Sequence, residues 1–473
     1  MVVRRPPMPK RPSKPTSPIS PHQPEPPPPL VVVVPPVVVV VLPAAGEAAG
    51  EAFVVVVVVV DDADVAAAAG LAAGLACASA IAGIRARALA SAKPAAPLLK
   101  AFFICRISLL SGACTGLLTR SARPTDGTAG CFRETTAMLQ TPIVLDDVRK
   151  DPARVLAAAE SASLLDLDDG VLCLEFHSKG NTLDGDTLTV AEHAFAAIPG
   201  RYKGLVVGNQ GKHFSFGANL RWLLALLQEI GGDRERFHVA AKRFQRITTG
   251  MRTVPFPTVS APFELTIGGA LELTMYADRV QAHAGRRASL PEIAVGILPD
   301  LGGTSELYIR CIDAAGEGNE AAGLRDTFQT IVFMRSSKDA EDARTLRFLK
   351  AHDRITADLP SLVSEAKARV LELARDYVTP AHRTDVPVLG DAGYDALNQA
   401  IDMAAASGMA APYDAEVARA IARVMTGGPG PARRASHEEL LDLETQYFET
   451  LVFNDKTKER MEYMLEHGAP LRN

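Results

Sequence analysis

The 473-residue chain is short of aromatic side chains, at 5% of the total, and of paired cysteines. Its six cysteines (Cys77, Cys105, Cys114, Cys131, Cys173 and Cys311) form no C-x-x-C pair and no Cys/His ligand spacing. That spacing argues against a disulfide framework or a zinc site, and fits a reducing compartment such as the cytoplasm. A surplus of positive charge is missing too: the formal net charge is -5 and the pI near 6.1, which argues against a nucleic-acid partner. No G-x-G-x-x-G follows any expected strand, so neither a nicotinamide site nor hydride chemistry is expected. His177 and His213 have no companion at metal spacing and read as surface-loop residues, so no metal is expected.

Valine and alanine are abundant, and the amino-terminal part inflates both. Residues 1–42 are basic and proline-rich, broken by valine runs at 31–34 and 37–41, and proline opposes both helix and central strand. The valine run 54–60 reads as a strand, or as an aggregation hazard if exposed. Residues 66–84 are nearly all alanine and glycine, long enough for a membrane span but weak in transfer energy. Residues 101–122 carry arginine and no acid, in the manner of a targeting peptide. Disorder is the expectation for 1–137, no membrane is expected as a partner, and ordinary globular composition begins at Met138.

From residue 166 the pattern alternates. Strands are expected at 170–176 (GVLCLEF), 203–208 (KGLVVG), 258–261 and 279–282. Helices are expected between them at 186–198, capped by Asp186 or Thr187, at 220–230 and 236–252, from Gly269, and at 302–311. Strand and helix in this order predict an α/β fold. Beyond residue 312 helical spacing dominates, at 336–349, 360–377, 394–405, 415–425 and 438–465. The expected organisation is 1–137, a core at 138–350 and a helical region at 351–473.

Chemistry concentrates in residues 262–303, PFELTIGGALELTMYADRVQAHAGRRASLPEIAVGILPDLGG. Gly268 and Gly269 open a helix, whose first N–H groups have no intrahelical acceptor and can point at an oxyanion. Glu272 falls where the helical pattern asks for an inward residue. A Leu-Pro-Glu turn presents Glu292, and a Pro-Asp-x-Gly-Gly turn presents Asp300. Burying such acids without partners is costly. Paired carboxylates beside backbone donors can move protons next to a carbonyl.

In order and spacing these residues resemble the crotonase, or enoyl-CoA hydratase/isomerase, superfamily over residues 166–349, and more faintly to the carboxyl end. The phrases GVLCLEFHSKGNTLD, GLVVGNQGKHFSFGANL and the terminal PLRN resemble the crotonase-like portion of bacterial 3-hydroxyacyl-CoA dehydrogenases. The resemblance implies a ββα spiral core with a helical carboxyl-terminal region, and an acyl-CoA thioester as substrate. It implies no other cofactor, and either a homo-oligomer built through the helical tail or a tail folded back. The oxyanion donors would be the N–H groups of Ala218 and Gly269. Glu272 and Glu292 would hold a water between them, adding its oxygen at C3 and a proton at C2. Asn181, Leu183, Gly217, Asn219 and Gly268 would line the substrate groove.

Three positions depart from the family pattern. The glycine triplet ends in Ala270, Asn219 stands where many members carry aspartate, and the usual P-G-x-G-G turn carries Asp300. Dienoyl-CoA isomerases have an aspartate at that turn, so hydration and dienoyl isomerisation both remain open, as does a non-catalytic acyl-CoA-binding protein. Each residue also has a structural reading. The Gly-Gly pair can serve packing, Glu272 can pair with Arg279, Glu292 can cap a turn and Asp300 can cap a helix. Lys179 and Lys212 can meet CoA phosphates or only water.

Overall fold

The computed structural model describes residues 141–473 and, nearer the amino terminus, the backbone of three valine-rich strands. These are β1 (Leu30–Val34), β2 (Val37–Pro43) and β3 (Phe53–Val59), paired antiparallel in that order. Runs of a β-branched residue favour extended backbone, as the strand reading of the valine run 54–60 expects. The segments 66–84 and 101–122, read as span and targeting peptide, lie outside the described residues.

The second unit, Phe132–Asn473, holds the rest. It begins with α1 (Leu145–Lys150), β4 (Val155–Ala158), β5 (Ala162–Asp166), β6 (Val171–Phe176), α2 (Gly185–Ala197) and β7 (Gly204–Gly208). Then come α3 (Leu220–Ile230), α4 (Arg234–Thr253), β8 (Thr258–Ala261), β9 (Leu265–Ile267), α5 (Gly269–Tyr276), β10 (Arg279–His283) and β11 (Arg287–Ser289). A short 3-10 turn, Glu292–Val295, precedes α6 (Gly303–Ala315), α7 (Glu320–Val332), α8 (Ala340–Thr345), β12 (Arg354–Thr356) and α9 (Leu362–Leu373). The chain ends with β13 (Val386–Val388), α10 (Gly390–Ala406), α11 (Pro412–Met425), β14 (Arg433–Ala435), α12 (His437–Val452) and α13 (Asp455–His467).

Seven strands form the main sheet in the order β12-β10-β8-β7-β6-β5-β4, parallel from β12 to β6 and antiparallel from β6 to β4. Helix α2 packs against β5 and β6, and α9 against β7, β8 and β10. Every residue of β6 and β7 is buried, which is why both read as unbroken apolar runs.

A second, smaller parallel set forms beside it. Strands β9 and β11 pair, and single bridges join Ser215 to Thr266 and Leu183 to Ala218. Each parallel strand of the main sheet from β6 to β10 thus sends its following loop through this set. Three of the four loops then enter a helix directly, at Gly185, Leu220 and Gly269, so three positive helix ends lie along one line.

Several boundaries differ from the sequence reading. Residue 350 is no seam, because β12 joins the sheet edge and α9 covers the sheet. The segment 336–349 is helical only over Ala340–Thr345. The helix expected at 438–465 is two helices, because the Asn454 side chain caps a fresh start by accepting from Lys456 N. Helix α2 is capped by Asp184, not Asp186 or Thr187.

The Asp184 carboxylate also accepts from Ser161 Oγ at 2.6 Å and from Asn219 Nδ2 at 3.4 Å, tying β5, α2 and the loop before α3 together. Losing a helix cap costs about 1–2 kcal/mol. Asp184→Ala is therefore expected to lower the unfolding free energy by that amount, read as a lower denaturation midpoint at unchanged m value; a parent-like midpoint would show that the cap is dispensable.

Candidate active site

Two backbone donors meet first. Gly217 sits at φ 82°. A Cβ there would stand 2.6 Å from Ile267 O and 3.1 Å from Gly269 N, so only glycine lets the two loops approach. The neighbouring amides are spent: Leu183 N donates to Gly217 O, Asn219 N to Leu183 O and Gly268 N to Ser289 O. Among the described residues the N–H groups of Ala218 and Gly269 donate to nothing. Both residues line one cavity of about 710 Å³.

The carboxylates converge on the same glycines. A Cβ on Gly268 would lie 2.7 Å from Glu292 Oε1, and one on Gly269 would lie 3.7 Å from Glu272 Oε2. Glu272 is divided between two duties. Its Oε1 accepts from Leu301 N at 2.9 Å and from Gly303 N at 2.8 Å, at the start of α6. No hydrogen bond engages Oε2 among the described residues. Glu292 is buried with both carboxyl oxygens unpartnered. Asp300 lines the same cavity, and its carboxyl makes no side-chain hydrogen bond among the described residues.

Burial followed by mutual repulsion sets the protonation of this group. Loss of solvent pushes Glu272 well above the usual carboxylate range, and the nearby Glu292, Asp300 and Glu444 push it further. Burial lifts Glu292 to about 8, with Asp300 adding to the rise. Burial lifts Asp300 to about 7. At neutral pH the cluster therefore holds protons that carboxylates in water would have released.

Most of the expected residues come together. Leu183, Ala218, Asn219, Gly268, Gly269, Glu272, Glu292 and Asp300 all line the cavity, and so does Lys179. Asn181 does not; its side chain donates to His213 O at 3.0 Å and braces the loop. Gly217 lies behind the wall and acts through the close approach described above. The departure at Asn219 has a local cause: its amide donates to the Asp184 carboxylate, which a second aspartate would repel.

The structural alternatives are answered in part. Arg279 donates to Asp278 O and does not meet Glu272. Asp300 is not a cap, because Gly302 occupies the cap position of α6 with no side-chain bond of its own. His213 is half-buried against Phe216, with ring centroids 5.2 Å apart, and Lys212 is exposed. No metal-holding cluster of acids, histidines or cysteines occurs among the described residues. Among them, too, no helix is long and apolar enough to cross a membrane.

Two contributions were missed by the sequence reading. Phe448, Met464 and Leu465, from α12 and α13, line the cavity, so the tail folds back over its own chain. Glu444, fully buried on α12, accepts from Gly302 N at 2.8 Å and from Ser305 N at 2.6 Å. The signal existed: Leu440, Leu441, Phe448 and Leu451 are buried at helical spacing around Glu444, which marks an acid on an apolar face.

The chain is similar to several known proteins. The chain is 35% identical over 325 residues to "Probable 3-hydroxyacyl-CoA dehydrogenase" of Bacillus subtilis, a match covering 68% of this chain and 41% of that protein. The fold is α/β, built on a seven-stranded, mainly parallel sheet. The chain thus spans about two-fifths of that relative's length. Enoyl-CoA hydratase from Bacillus halodurans aligns in structure at a TM-score of 0.43 and 17% identity, covering 64% of this chain and 99% of its own. An enoyl-CoA hydratase from Mycobacterium avium subsp. paratuberculosis aligns at 0.42 and 16%, covering 67% and 100%. No protein-family model matches the chain.

The buried carboxyl cluster has a consequence for stability. Glu292 and Asp300 keep their protons when folded up to about 8 and about 7, from ordinary values of 4.5 and 3.8. Between those limits the folded state binds more protons than the unfolded one, so stability falls as pH rises. The urea midpoint is expected to be higher at pH 5.5 than at pH 8.5, and Glu292→Gln should flatten that slope. A midpoint that rises across this window would contradict the buried, protonated cluster.

Proposed function

We propose that the chain adds water to 2-enoyl-CoA thioesters, as an enoyl-CoA hydratase-like enzyme of fatty-acid β-oxidation. The observation that supports it is one cavity wall holding two uncommitted backbone N–H groups beside the free oxygens of Glu272 and Glu292.

In this reading the thioester oxygen lies between Ala218 N and Gly269 N. As negative charge moves onto that oxygen, each donor contributes about 3 kcal/mol of transition-state stabilisation. Glu272 Oε2 and the Glu292 carboxyl hold a water against the double bond. In the form with Glu272 ionised and Glu292 protonated, Glu272 takes a proton from the water as its oxygen bonds to C3, and Glu292 delivers a proton to C2. The product is a 3-hydroxyacyl-CoA, and the two carboxyls end with protonation states exchanged until solvent resets them. Coenzyme A belongs to the substrate, and no step calls for another cofactor. The apolar walls beyond the carboxylates, including Leu226, Phe237, Phe244 and Phe448, offer the acyl chain a dry surface.

Asp300 sustains a second reading. Its carboxyl lies in the cavity with its proton held to about 7, instead of capping α6. Three carboxylates can shuttle a proton along a conjugated chain, as dienoyl-CoA isomerisation requires. The two readings separate by ultraviolet absorbance on the full chain, offered a 2-trans-enoyl-CoA and, separately, a 3,5-dienoyl-CoA. Loss of the conjugated enoyl signal is the expected result. Growth of a 2,4-dienoyl signal would replace hydration with isomerisation, and neither change, with CoA esters still bound, would leave a binding protein.

Glu292→Gln is expected to cost on the order of 10²–10⁴-fold in kcat for hydration while leaving CoA-ester affinity near that of the parent. Retained turnover would remove Glu292 from its acid role. Asp300→Gly should keep or raise hydration; a selective loss of 2,4-dienoyl product would instead give Asp300 the catalytic part.

A further inference from the structure

The turn carrying Asp300 is held from every side. Gln245 Nε2 on α4 donates to Asp300 O at 3.0 Å, and Thr248 Oγ1 on the same helix donates to Leu301 O. Tyr276 Oη on α5 donates to Gly302 O at 3.3 Å. The N–H groups of the turn and first helical residues go to just two acids. Glu272 Oε1 takes Leu301 N and Gly303 N, while the two oxygens of Glu444 take Gly302 N and Ser305 N.

This division has a consequence for Glu272. A helix start presents several bare N–H groups, and each must find an acceptor when buried. If Glu272 alone served this helix start, both its oxygens would be drawn into the turn. Because Glu444 satisfies the alternate pair, Glu272 needs only Oε1 for the turn and keeps Oε2 for the cavity. Glu444 does not line the cavity, so it acts on the reaction through Glu272 and Asp300.

We infer that Glu444 is a positioning residue of the active site, reaching from the carboxyl-terminal helix α12 to lock the Asp300 turn and free one oxygen of Glu272 for substrate chemistry. The inference rests on the water-addition reading above for its kinetic form.

Its charge matters as well as its shape. Facing Glu444 are Glu272 and Tyr276 from α5, Asp300 from the turn and, on its own helix, His437. Glu306 of α6 is neutralised by Arg252 of α4, Arg310 and Lys350. Lys242 of α4 is drawn to Asp442 at 2.6 Å. The nearest unpaired groups are therefore acidic; burial, with Asp300 adding, lifts Glu444 itself to about 8, and above that pH its charge raises the proton affinity of Glu272.

The test is Glu444→Gln in the full chain, with Asp442→Asn, an exposed acid on the same helix, as control. Hydration by Glu444→Gln should fall on the order of 10²-fold in kcat at parent-like KM. The pH–rate limb set by Glu272 should move to lower pH, because the charge that Glu444 carries above about pH 8 is gone. Glu444→Asp, which keeps the charge but shortens the reach, should lose kcat and keep the limb in place; it carries the test if the glutamine variant does not fold. Asp442→Asn should match the parent.

A parent-like kcat for Glu444→Gln, or a lower kcat with the limb unmoved, would overturn the inference and leave Glu444 a packing residue. If the parent itself turns over no enoyl-CoA, the functional reading fails separately. Carboxyl ¹³C titration then decides: a downward move of the Glu272 midpoint in Glu444→Gln upholds the coupling, and an unmoved midpoint overturns it.

Discussion

The start of helix α6 governs the site, because its buried N–H groups demand acceptors and two carboxylates supply them. Glu272 comes from α5 and Glu444 from α12, so the turn between Leu298 and Gly303 joins three helices that are distant in sequence. A carboxylate at a helix N-terminus is stabilised by the helix dipole and by the donors themselves. That stabilisation makes it tolerable to bury acids in a wall otherwise lined by leucine and phenylalanine. Burial still raises the proton affinity of Glu272 and Glu444, and it raises that of Glu292, which has no such donors, as well. The same cavity thus holds one anchored acid and one unanchored acid, the asymmetry that a donor and acceptor of protons need.

The spiral makes this meeting possible. Each ββα turn adds a strand to the large sheet and a residue or strand to the small one, then releases the chain near a neighbouring turn. Gly217 and Gly268 remove side-chain bulk where adjacent turns cross, so two backbone amides with no other duty face one space. A donor pair on backbone cannot rotate away as side chains can, and its geometry is fixed by the fold itself. The carboxyl-terminal helices then close the cavity with Phe448, Met464 and Leu465, and through Glu444 they also complete its rigid wall. The tail is therefore part of the site and not an appendage to the core.

Much of this was legible in the residue order. The alternation of apolar runs and amphipathic segments predicted the α/β core, and the Gly-Gly, Leu-Pro-Glu and Pro-Asp-x-Gly-Gly turns located three of the four buried acids. What escaped was set by contacts between distant segments. Asp184 caps α2 while Ser161, just before β5, also donates to it, a choice invisible at the helix start alone. Asn181 looked like a groove residue, yet its amide is taken by His213 O across the loop. Glu444 shows the limit most clearly. Its helical register placed it on an apolar face, but nothing local says that the N–H groups of α6 would be waiting there.

Asp300 is the departure that these forces make bearable. The usual turn carries glycine at this position, and an aspartate adds a third acid to a wall already short of water. Its backbone is committed to Gln245, and its side chain cannot swing onto the α6 N-terminus because Glu272 and Glu444 already occupy those donors. The carboxyl is left facing the cavity, where holding a proton is cheaper than holding a charge. A protonated Asp300 is a hydrogen-bond donor of modest size, and it can orient a water or a substrate chain without repelling Glu272 or Glu292. As pH rises through about 7 it becomes an anion and raises the proton affinity of both glutamates. The aspartate therefore couples the chemistry of the glutamates to pH from a position that the grip on α6 has left vacant.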